Sequence, residues 1–95
     1  MNNYELALVI NGKVDEEVKT ATVEKAKEYI ARFGGSLTKV DEWGKRRLAY
    51  EIDKVREGFY FFFTFQADAG VPAELERELR ITEPVLRFLV TRIEE

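Results

Sequence analysis

Three consecutive cations, Lys45-Arg46-Arg47, follow Gly44, and Lys54 and Arg56 stand in the turn beyond them. Arginine forks match phosphate oxygens and lysine adds a point charge, so this run could grip a folded RNA backbone without reading bases. The competing reading is a solvated surface whose cations are balanced by Asp41, Glu42, Glu51 and Asp53. Covalent and metal chemistry have few candidates. With no Cys and no His, thiol nucleophiles, imidazole bases and the usual zinc sites are excluded. Asp41-Glu42 and Glu51/Asp53 are carboxylate pairs, but on a strand and hairpin they read as charge partners of neighbouring bases. Ser36 has no convincing base. The expectation is a protein that is no enzyme and that needs neither metal nor cofactor.

The formal net charge of −3 advertises no nucleic-acid partner by itself. Its distribution says more. Residues 39–56 and residues 77–92 each carry a net +2, so the remaining segments carry −7. A mildly acidic chain can therefore present local positive surface.

The elements that must position these charges follow from patterning. Ninety-five residues, 45% of them hydrophobic, fit one domain over 1–95 with a modest core. Neither a membrane-length apolar run nor a signal-peptide pattern after Met1 is expected. Residues 4–10 alternate as a strand and Asn11-Gly12 ends it. Asp15 can cap a helix whose apolar stripe is Val18, Thr22, Ala26, Tyr29, Ile30 and Phe33, stopped by Gly34-Gly35. Residues 36–52 read as a long strand with a bulge near Gly44, because Leu37 and Val40 differ in parity. Residues 53–58 form a hairpin connection. The strand 59–66 carries rings on both faces and belongs at the centre of a sheet. Pro72 suits the first turn of a second helix, and Pro84 precedes a last strand over 85–93.

The order β-α-β-β-α-β predicts the ferredoxin-like α+β fold: a four-stranded antiparallel sheet with two helices on one face. Leu6, Leu8, Leu48, Phe61, Phe63, Phe65, Phe88 and Val90 are expected on the covered side. The open side then carries Ala7, Val9, Ala49, Tyr60, Phe62 and Leu89, rimmed by Glu5, Arg47, Glu51 and Arg87. An apolar centre with a charged rim is the composition of a binding surface, and Val9, Tyr60, Phe62 and Leu89 are its candidate partner-binding residues. Arg56-Glu57-Gly58-Phe59-Tyr60 through Phe63 also resembles the central strand of an RNA-recognition motif, with Tyr60 and Phe62 free to stack on bases. That leaves an independent single-strand RNA binder as the alternative. On this pattern the companion rings are missing, since Ala7 and Val9 offer none.

The run Trp43-Gly44-Lys45-Arg46-Arg47-Leu48-Ala49-Tyr50-Glu51-Ile52 resembles the bacterial small-subunit ribosomal protein six family. Tyr4-Glu5, Asp15, Gly58-Phe59-Tyr60, Glu78-Leu79 and Val85-Leu86-Arg87 extend the similarity over essentially the whole chain. The resemblance implies a structural component of the small subunit, located on the cytoplasmic ribosome. It also implies binding to central-domain ribosomal RNA together with small-subunit protein eighteen. Carried over, Lys45, Arg46 and Arg47 match the basic run near RNA or partner, and Tyr4, Leu48 and Tyr50 match packing positions. Lys54, Arg56, Arg80, Arg87 and Arg92 complete the expected RNA-binding set. Acylphosphatases share the predicted topology, but Asn11-Gly12-Lys13-Val14 is not their phosphate loop.

Overall fold

A computed structural model describes residues 1–52 and 54–93. Six elements succeed one another: β1 (Asn2–Asn11), α1 (Glu16–Arg32), β2 (Ser36–Ile52), β3 (Val55–Ala67), α2 (Val71–Arg80) and β4 (Val85–Ile93). The strands form one sheet in the order β2-β3-β1-β4, and every pairing is antiparallel. The aromatic strand β3 is therefore interior, with β2 and β1 paired along its two edges.

The core fills one side of the sheet. Leu6, Leu8 and Ile10 of β1 and Phe61, Phe63 and Phe65 of β3 meet Ala26, Tyr29 and Ile30 of α1 and Leu75 and Leu79 of α2. Each fully buried aromatic or aliphatic side chain contributes about 1.5–3 kcal/mol through removal from water. Asp15 caps α1 by accepting the Val18 N–H at 2.9 Å, with Glu16 and Glu17 in the first turn where the helix dipole favours them. Val18 itself departs from its expected stripe. It is exposed, and Val23 takes the buried place.

Two further expectations change. Leu48 does not join the core under the helices. Its Cδ2 and the Cγ1 of Val9 flank the space above Gly58, which puts Leu48 on the open side. The cause is the β2 bulge: Glu42 pairs with Phe61 and Gly44 with Tyr60, leaving Trp43 as the extra residue and reversing the alternation beyond it. Gly44 accommodates the bulge with a φ of 79°. The connection expected over 53–58 is also shorter, because β3 already begins at Val55, paired with Ile52. Asp53 lies outside the described residues.

Candidate nucleic-acid and protein interface

Sequence neighbours on a strand face opposite ways, and β2 applies this to the basic run. Lys45 pairs with Phe59, and its Nζ lies 5.3 Å from the centroid of that ring on the helix side. Lys19 of α1 approaches the same ring at 4.9 Å. Lys19 is held by Glu16 at 2.9 Å and Glu42 at 3.5 Å, and its hydrogen bond to Glu16 raises its pKa above the ordinary lysine value. Arg47 pairs with Glu57 and shares the side of Lys45. Arg46, opposite Gly58, points the other way.

On the open side Arg46 joins an aromatic cluster. Its guanidinium lies 5.4 Å from the Trp43 centroid, and its Nε donates to the Trp43 carbonyl at 3.3 Å. Trp43 in turn tilts against Phe62, with centroids 4.7 Å apart. A second cation–ring pair mirrors the first: Arg87 of β4 lies 5.8 Å from the centroid of Tyr50 and donates to its hydroxyl at 3.1 Å. A shallow groove of about 230 Å³ opens on this side, lined by Ala7, Val9, Tyr60, Phe62, Arg87 and Leu89 among others. The four expected partner-binding residues are thus gathered in one apolar depression. Trp43 and Leu89 are more than half exposed, at 53% and 61%.

Tyr50 is not a packing residue. It is 62% exposed on the open face, carried there by the same reversal that moved Leu48. Trp43 was missed as a platform residue, although its place beside the bulge glycine was the available signal.

The other expected cations disperse. Lys54 sits at the hairpin tip with its carbonyl 3.5 Å from the Lys13 Nζ, and Arg56 pairs with Glu51 at 3.5 Å. Arg80 ends α2 and is exposed. Arg92 lies at the far end of β4, opposite Tyr4 where Arg87 is opposite Val9, and donates to Asn2 at 2.9 Å. Among the described residues no group of His, Cys, Asp and Glu is arranged to hold a metal ion. No described helix is long and apolar enough to cross a membrane.

A family model for ribosomal protein S6 matches residues 3–92. The chain belongs to the ribosomal protein S6 family. It is 47% identical to the small ribosomal subunit protein bS6 of Moorella thermoacetica, with the match covering 100% of this chain and 97% of that one. The bS6 protein of Clostridium acetobutylicum is also 47% identical, with full coverage of both chains. The crystal structure of 30S ribosomal protein S6 from Thermotoga maritima superposes with a TM-score of 0.92 at 34% identity, covering 97% of this chain and 87% of that one. The C-terminal domain of the MgtC protein from Mycobacterium tuberculosis shares the fold alone, at 9% identity and a TM-score of 0.66. S6 membership makes this a protein of the small ribosomal subunit, part of a ribonucleoprotein and of translation, located on the cytoplasmic ribosome. Its S6 relatives are structural ribosomal proteins.

Proposed function

We propose that this S6 family member joins small-subunit ribosomal RNA of the central domain to small-subunit protein eighteen, using opposite sides of its sheet, and catalyses nothing. The observation that carries the reading is the split of the basic run, with Lys45 and Arg47 on the helix side and Arg46 stacked on Trp43 on the open side. Lys45 and Arg47 are exposed, as are Lys54 and Arg56 on the hairpin, so phosphates can approach them from solvent. Arg87 lines an apolar groove and Arg46 rests on Trp43, which packs on Phe62 of that groove; a cation resting on a ring beside such a groove suits a protein contact. A chain of net charge −3 binds RNA weakly alone and gains affinity when a basic partner adds phosphate contacts.

The test is the salt dependence of binding to a central-domain RNA fragment in the presence of protein eighteen. Replacing Lys45 and Arg47 together by Ala should lower the slope by about two, roughly one for each phosphate left without its cation. Arg46→Ala should leave the slope in place and weaken the protein–protein association. An unchanged slope in the double variant would refute the assignment of these two cations to RNA.

The Trp43–Phe62 pair favours one other reading, an independent single-strand RNA binder, since it supplies the companion ring that the β1 pattern lacked. Titration with short single strands decides it. Tight binding without protein eighteen, quenching Trp43, supports that reading.

A further inference from the structure

The turn between β1 and α1 is fastened to the β2–β3 hairpin. Gly12 donates its N–H to the Glu57 carbonyl at 3.0 Å, and a Cβ on Gly12 would lie 2.5 Å from that oxygen, so only glycine permits the approach. The bond carries Lys13 across to the hairpin, where its Nζ lies 3.5 Å from the Lys54 carbonyl. The Lys13 N–H is held by Asn11 Oδ1 at 2.8 Å, which fixes the backbone from which the side chain reaches. Between the two segments is an open cavity of about 330 Å³, lined by Gly12, Lys13, Lys54, Val55, Arg56 and Glu57. Three of these six are cations and one, Glu57, is an anion. Arg56 is engaged by an exposed pair with Glu51, which exchanges readily for a stronger acceptor.

Lys54 adds an independent observation. It is the described non-glycine residue with a positive φ, 64°, a conformation that asparagine or glycine would occupy at less cost. A lysine placed in a left-handed turn position points to use of its charge.

We propose that this cavity is a cradle for a single phosphate group, with Lys13 closing over it from the β1–α1 turn and Lys54 and Arg56 from the hairpin. The proposal rests on the RNA reading for its ligand's source and adds Lys13, from outside the basic run, to that surface. Inorganic phosphate and a phosphodiester of folded RNA present the same oxygens, so the two sources are separated by experiment.

The first arm titrates the full chain with inorganic phosphate and follows backbone amide chemical shifts. Saturable shifts should concentrate at Gly12, Lys13 and Lys54–Glu57, and Lys13→Ala should weaken them about fivefold to tenfold through loss of one charge-assisted hydrogen bond. Lys13→Arg should restore them, and Lys25→Ala, on the exposed face of α1, should leave them unchanged. Shifts scattered over all lysines, or unchanged in Lys13→Ala, overturn the cradle. The second arm measures the salt slope for the central-domain RNA fragment with protein eighteen. A fall of about one in Lys13→Ala supports an RNA phosphodiester as occupant. An unchanged slope alongside a positive first arm supports free phosphate and counts against the RNA source alone. Complete failure to bind RNA, in every variant, would strike the RNA reading and leave the first arm standing.

Discussion

Lys45 and Arg46 are covalent neighbours whose charges lie on opposite sides of one sheet. The Lys45 ammonium lies over Phe59 beside α1, and the Arg46 guanidinium over Trp43 on the side without helices. A compact basic run in the chain is thus divided between two surfaces by nothing more than strand alternation. Under the proposed function, this division would let 95 residues serve a polyanion and a protein with different side chains.

Phe62→Asp should abolish association with protein eighteen while the isolated domain stays folded. Phe62 lines the open groove and supports Trp43, so a carboxylate there removes apolar contact and introduces a charge needing solvation. Binding is read by calorimetry and folding by circular dichroism. Undiminished pairing would move the protein interface away from this face.

The order of elements, the interior place of β3 and the bulge at Gly44 were all legible in the residues, because periodicity and turn glycines report local backbone directly. What β2 presents beyond the bulge was not. Its apolar row marks Leu48 for the covered side, but the extra residue at Trp43 fixes which row faces the helices, and Leu48 and Tyr50 emerge on the open side. Lys13 was invisible for a different reason. Its proximity to Lys54 comes from a backbone bond between segments far apart in the chain, and no local pattern encodes that. The expected set of RNA-facing cations was one-dimensional in the same sense, grouping Arg92 with Arg87 although they occupy opposite ends of β4.

Stability should separate the two faces sharply. Phe63 is wholly buried at the centre of the core, so Phe63→Ala should cost about 3–5 kcal/mol. Leu89, exposed in the groove, should change stability by no more than about 0.5 kcal/mol when replaced by Ala. Equilibrium urea unfolding measures both. Comparable losses would mean that the groove is part of the folding core.

Lys54→Gly should stabilise the isolated domain by about 1 kcal/mol, because glycine adopts the left-handed turn without the Cβ penalty. The same change should weaken phosphate and RNA binding. Thermal unfolding and the phosphate titration together check the opposition of stability and binding at this position. A variant that loses stability would show that the lysine side chain holds the hairpin together.

Lys19 titrates above its ordinary value of 10.5, chiefly through its hydrogen bond to Glu16 and then through the charges of Glu16 and Glu42. A raised pKa in the folded chain means a contribution that is complete below the unfolded value and is lost as pH climbs through the folded one. Unfolding free energies of the chain and of Lys19→Met should therefore differ at neutral pH and converge in the alkaline range above 10.5. A gap that persists there would assign the effect to packing on Phe59.

Trp43 is the single tryptophan of the chain and stands on the face assigned to the protein partner, so its emission gives the most direct test. Spectra are recorded on adding protein eighteen and, separately, central-domain RNA, with Trp43→Phe subtracting any signal from the partner. A blue shift with the protein and none with RNA alone is the result expected if the sheet divides its ligands between its sides. An unmoved spectrum with the protein, or a shift produced by RNA alone, would contradict that division.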